Sequence, residues 1–288
     1  MKTFKYTFST ALVFIAVVSL MLFSCQKEFK ASSYAPPKPP PTYGGYSRSQ
    51  DIYPTNLIAY WPFNGNLTDS LSQTAGTATG TSFSAGVKGQ ALQGAANGYV
   101  VSNVPSAVKS LHSFTVSTWA NMAQNTNGAV SILSIAQDQG FWGTLDIYFD
   151  NGSTATTGVL KVHGFNKATG LSGVDAWAGG YSVSKPWNTW INISVTYDDT
   201  KGEMNVYYNG NVAGTITPTG FAPLDWSGAT KMVFGTFQFQ TTPSLTSGAT
   251  AQNWASYVTG KIDQVRIYNK VLAKNEVTAL YNLELAGR

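Results

Sequence analysis

From Asn56 to the end, the chain is a succession of short apolar or alternating runs, each cut off by Gly, Asn, Ser or Asp. Runs of that length are strand-sized and rarely long enough for a helix. Candidate strands are Leu57–Phe63, Tyr99–Val101, Ser113–Met122, Val130–Ile135, Thr144–Phe149, Val159–Phe165, Trp190–Tyr197, Glu203–Tyr208, Val212–Thr217, Lys231–Gly235 and Gly260–Tyr268. Within Ser113–Met122, Phe114, Val116 and Met122 alternate with small polar residues, as a strand with one buried face requires. Asn209-Gly210 suits the positive-φ positions of a tight hairpin, and Asp198–Gly202 forms a longer turn. Phe237-Gln238-Phe239-Gln240 alternates and reads as a further piece of strand. Helical spacing is confined to Lys274–Leu283, where Val277, Leu280 and Tyr281 share a face. These signals predict an all-β, two-sheet antiparallel jelly-roll sandwich with one short C-terminal helix.

Composition agrees. Only 11% of residues are charged, whereas Gly (28), Tyr (15), Phe (15) and Trp (8) abound, which excludes an all-α protein. The net charge of +4 suggests a polyanionic partner until its position is considered. Residues 1–55 hold six of the eighteen basic side chains and two of the fourteen acidic ones, so residues 56–288 are electrically balanced. No nucleic-acid footprint results.

The charged end is an address. Lys2 and Lys5 precede the apolar stretch Ala11–Phe23, which falls short of the about 20 residues needed to span a bilayer and reads as a secretory signal. Leu22-Phe23-Ser24-Cys25 resembles a bacterial lipobox, and Cys25 is the single cysteine of the chain. The resemblance implies cleavage after residue 24, lipidation of Cys25 and a membrane anchor. Gln26 is not the Asp of an inner-membrane retention signal, and Gln26-Lys27-Glu28 resembles the export signal of surface-exposed Bacteroidetes-type lipoproteins. The expected location is therefore the outer membrane, on the cell surface. Residues 25–55 include Pro36-Pro37-Lys38-Pro39-Pro40-Pro41 and read as an extended tether. The expected domains are 1–24 (signal), 25–55 (lipidated Cys and tether) and 56–288 (jelly roll).

Four segments resemble the laminin-G-like, concanavalin A-like jelly-roll family of bacterial surface proteins. They are Leu57–Ser70 (LIAYWPFNGNLTDS), Ser113–Trp119 (SFTVSTW), Trp190–Asp198 with Val206–Gly210, and Gly260–Tyr268 followed by the helix bearing Glu276, Leu280 and Tyr281. The likeness implies fold more than function, because this fold hosts lectins, glycosidase accessory modules, adhesins and protein binders. It also implies a structural calcium site of reduced charge, since Asn64 and Gln264 stand where the family often has Asp. Asp69 and Asp263 would supply carboxylates, and Asn64, Gly65 and Asn66 further oxygens.

A glycosidase of this fold needs two carboxylates at most about 9.5 Å apart. Asp146 and Asp150 share a strand face, but four residues of strand separate them by about 13.6 Å. The glucanase Glu-x-Asp signature is absent, and His112 and His163 are the only histidines. Binding is the better expectation. Trp61, Trp119 and Trp190 fall in strand motifs and belong to the core. Trp142, Trp177, Trp226 and Trp254 fall in Gly/Ser-rich loops, three of them beside Asp175, Asp225 or Asn253. Exposed indoles stack on the C–H faces of sugars while neighbouring polar groups hold hydroxyls. The leading reading is a non-catalytic, polysaccharide-binding lipoprotein. A protein-interaction or adhesion module of an envelope or glycan-uptake assembly comes second, and a glycoside hydrolase with an atypical acid pair third.

Overall fold

The computed structural model describes residues 39–167 and 173–288. The signal, Cys25 and Pro36-Pro37-Lys38 of the proline run lie outside them. The strands are β1 (Leu57–Trp61), β2 (Gly76–Thr79), β3 (Ser82–Ala85), β4 (Gln90–Gln93), β5 (Tyr99–Asn103), β6 (Phe114–Asn121), β7 (Ala129–Gln137), β8 (Leu145–Asp150), β9 (Thr157–Asn166), β10 (Val174–Ser184), β11 (Ile191–Asp198), β12 (Glu203–Tyr208), β13 (Asn211–Ile216), β14 (Ala229–Phe234), β15 (Ala255–Ser256) and β16 (Lys261–Tyr268). One sheet runs β13-β12-β11-β6-β16-β4-β3, with β1 also on β16; the other runs β10-β9-β8-β7-β14-β5-β2. All pairings are antiparallel except that of β15 with β7. This is the expected all-β sandwich.

Alternation decides which side chains meet between the sheets. Phe114 and Val116 of β6, Ile147 and Phe149 of β8, and Val195 of β11 enter one continuous apolar core. The intervening residues of β6 point outward, where the C-terminal helix Lys274–Leu285 covers them. There Trp119 Nε1 donates to Glu284 Oε2 at 2.6 Å, and its ring stacks on Tyr281 at 5.4 Å. Arg266 Nε donates to Glu284 Oε1 at 2.6 Å, completing a buried ion pair under the helix. Tyr43, Tyr46 and Ile52 pack beside it, and the compact unit accordingly begins at Thr42, ahead of the expected start at 56.

Three local expectations change. β10 is an eleven-residue strand where none was expected, because its core-facing positions include Ala176 and Ala178, whose apolar signal is faint. Gln238–Gln240 is a turn of 3-10 helix, not a strand. The buried Gln238 amide replaces a neighbouring strand, accepting from Gln137 N at 2.9 Å and donating to Gly140 O at 3.0 Å. Trp190 precedes β11 and is only half-buried, whereas Trp61 and Trp119 are buried as expected.

Candidate functional site

Register assembles the site. Asp146 of β8 lies opposite His163 of β9, and His163 lies opposite Trp177 of β10, so the three side chains stand abreast on the outer face. Ser134 of β7 extends the row on the far side of Asp146. Leu145, Ile147, Leu160, Val162, Ala176 and Ala178 face the core from the same strands, which fixes the phase of the row.

Hydrogen bonds link the row into a chain. Asp146 is buried and accepts from Ser134 Oγ (2.5 Å) and Gly143 N (2.8 Å). A Cβ on Gly143 would stand 2.7 Å from Ile135 O and 2.9 Å from Asp146 Oδ1, so a side chain there would block this approach. His163 Nδ1 faces Asp146 Oδ2 at 3.2 Å, and Nε2 faces Asp175 Oδ1 at 2.7 Å. With a carboxylate on each ring nitrogen, both nitrogens donate. Burial disfavours the charged ring, but the hydrogen bonds that it donates to Asp146 and Asp175, with the negative charge of both carboxylates, outweigh this and raise the His163 pKa above its ordinary value. The inner carboxylate is enclosed; the outer one, Asp175, keeps 52% of its side-chain surface in solvent.

Aromatic rings surround this chain. The Trp177 ring lies 4.3 Å from His163 and meets Trp142 edge-on at 5.2 Å and 88°. Trp142 also contacts Tyr148 (5.8 Å) and Trp254 (5.7 Å). Phe237 and Phe239, stacked at 4.9 Å, close the cluster from behind. Trp142 and Trp254 are half-buried, while Trp177 keeps 49% of its surface exposed. The exposed indole thus rests on a rigid aromatic base with a carboxylate beside it.

Of the residues expected to bind ligand, Trp142, Trp177, Asp175 and Trp254 are brought together. Trp177 stands within a strand, not in a loop. Asn253 is exposed next to Trp254 in sequence. Trp226 does not join them: it is 1% exposed and packs on Phe114 at 4.6 Å, plugging the core between the sheets. Asp225 lies apart, accepting from Ser227 N at 2.9 Å, beside a recess of about 670 Å³ that also touches His112 and Lys167. His163 was absent from the expected site. Its signal was phase alone, a polar residue one step from Val162 in an otherwise apolar run.

The residues proposed for calcium do not fit a hard cation. Asp69 accepts from Tyr60 N (2.7 Å), Leu71 N (3.3 Å) and Ser72 N (3.0 Å), and from Ser72 Oγ. Asp263 accepts from Val87 N (2.9 Å), Lys88 N (3.2 Å) and both nitrogens of Gln264. Asn64 Oδ1 accepts from Gln90 N and Asn66 Oδ1 from Thr68 N, with Gly65 in the turn between them. Donor hydrogens therefore point at the oxygens a cation would need. Among the described residues no group of three His, Cys, Asp or Glu side chains could hold a metal ion. The acid pair considered for hydrolysis is likewise committed. β8 runs in regular register against β9, which keeps Asp146 on His163 and Asp150 on Lys161.

An antiparallel two-sheet sandwich of this kind is an architecture of jelly rolls. The sequence profile of the concanavalin A-like lectin/glucanases superfamily matches residues 93–278, and the chain belongs to that superfamily. Among solved structures it is similar to the binding domain of Paraclostridial Mosquitocidal Protein 1, with TM-score 0.58 and 16% identity over 79% of this chain and 52% of that one. It is similar also to domain 4 of AbnA, a GH43 extracellular arabinanase from Geobacillus stearothermophilus solved with arabinotriose (TM-score 0.51, 20% identity, 78% of this chain and 98% of that one). The ligand-binding domain of Botulinum neurotoxin serotype D, solved with N-acetylneuraminic acid, matches with TM-score 0.54 and 13% identity over 81% of this chain and 52% of that one. The chain thus spans about half the length of these toxin domains, and the likeness is one of fold. No curated protein sequence matches.

Proposed function

We propose that the chain is a non-catalytic glycan-binding module, displayed from the outer membrane by a lipid on Cys25, with Trp177 at the centre of its binding face. The observation that carries this reading is the half-exposed indole of Trp177, set on His163 and Trp142 beside the solvent-facing carboxylate of Asp175. Folding alone favours burying an indole; an exposed one on a rigid base offers a flat apolar face to a sugar ring. Fold neighbours that hold arabinotriose and N-acetylneuraminic acid support a saccharide ligand. The separation of Asp146 from Asp150 supports binding without hydrolysis.

Affinity electrophoresis of the protein through gels cast with a panel of neutral and acidic polysaccharides tests the proposal. Retardation by at least one polymer is expected, and migration unchanged in every gel would sink it. Palmitate labelling lost in Cys25→Ala tests the anchor. A protein partner is the second reading, favoured by β10, which stands last in its sheet with no strand paired to its outer edge among the described residues and could accept one from elsewhere.

A further inference from the structure

The outer face of β10 presents Asp175, Trp177 and Gly179 in succession, while Ala176 and Ala178 turn to the core. Gly179 lies opposite Lys161 on β9. A Cβ at Gly179 would stand 2.5 Å from Lys161 Cγ and 2.7 Å from its Cα, so glycine is what lets the lysine stem lie across this position. The missing side chain leaves a recess of about 280 Å³ lined by Lys161, Val162, Trp177, Ala178 and Gly179. The recess adjoins the exposed indole, opposite in direction along the strand from Asp175.

The charges of this face are unequal. Lys161 Nζ sits 2.5 Å from Asp150 Oδ2, so its charge is already matched. His163 is shared between Asp146 and Asp175, one cation between two anions. These five groups sum to one negative charge even with His163 protonated, and of the two carboxylates that share His163 only Asp175 is exposed. Asp175 Oδ2 has no hydrogen-bond partner among the described residues, while Oδ1 is held by His163. An ionised carboxylate only accepts hydrogen bonds, so it suits a sugar hydroxyl and repels a sugar carboxylate.

Resting on the glycan-binding reading, we infer that the ligand is a neutral oligosaccharide lying along β10. One unit stacks on Trp177 with a hydroxyl on Asp175, the next unit enters the Gly179 recess, and glycans bearing carboxylates are turned away. Asp175 is thereby a specificity-determining residue and His163 a positioning residue that holds it.

The test uses laminarin, galactan and glucomannan, each as the neutral polymer and after oxidation of its C6 hydroxyls to carboxylates, in affinity gels with the full chain. At least one neutral polymer is expected to retard the protein, with its oxidised form binding roughly tenfold more weakly because like charges meet at Asp175. Added salt should strengthen binding of the oxidised form by screening that repulsion while leaving the neutral form unchanged. Asp175→Asn, checked for an unchanged thermal midpoint, should narrow the gap between the two forms. Oxidised polymers bound as well as or better than neutral ones, with binding still lost in Trp177→Ala, would overturn the inference and leave glycan binding standing. No retardation by any of the polymers would overturn both.

Discussion

His163 holds its charge because a carboxylate faces each ring nitrogen, and that charge is coupled to folding. Its pKa is raised in the folded state above the ordinary 6.5. The stabilisation is therefore fully present below pH 6.5 and disappears as pH rises through the raised value. Asp263 acts in the same direction: burial pushes its carboxyl from 3.8 up to about 7, so the cost of charging it grows across that interval. Thermal midpoints measured from pH 5 to pH 9 should fall with rising pH, and His163→Gln should flatten the upper part of the curve. A midpoint that climbs over the range would contradict the ionised Asp–His–Asp chain. Two tryptophans with similar sequence surroundings should part company under mutation. Trp226→Ala empties a fully buried site and is expected to cost about 3–5 kcal/mol in chemical denaturation. Trp177→Ala removes a half-exposed ring with two aromatic contacts and should cost about 1 kcal/mol. Asp175-x-Trp177 and Asp225-Trp226 look alike as text. What separates them is that β10 turns one indole to solvent, while the loop before β14 drops the other between the sheets.

At the scale of elements, the C-terminal helix is more than an appendage. It covers the outer face of β6 and β16, and Glu284 receives both Trp119 Nε1 and Arg266 Nε. Glu284→Ala leaves Arg266 buried and unpaired, for which an unfolding cost of about 3–5 kcal/mol is expected by denaturant titration. The helix was legible from Val277, Leu280 and Tyr281, and β6, β11 and β12 from clean alternation of large and small residues. β10 was not, because Ala176 and Ala178 carry its buried face and Gly179 and Gly180 interrupt it. The row Asp146–His163–Trp177 was legible only in part for a related reason. Leu145 and Ile147 fix the phase of Asp146, and Val162 that of His163, but which residue stands opposite which depends on strand register. Register is set by turns and packing across the sheet, not by either strand alone.

For the whole molecule, the exposed carboxylate of Asp175 stands where an indole is also exposed, and both lie on an edge strand. The oxygens near Asp69 and Asp263 hold loops in place through N–H donors, so the fold should stand without a cation. Melting curves recorded with calcium and with EDTA are expected to coincide, and a chelator-dependent fall would contradict this. The most direct test of the central claim is glycan affinity electrophoresis of the full chain beside Trp177→Ala, with thermal midpoints measured on the same samples. Retardation lost in the variant, with both proteins folded, is the result expected of a binding face centred on Trp177. Retardation that persists undiminished in the folded variant would place glycan binding elsewhere on the molecule and contradict the account.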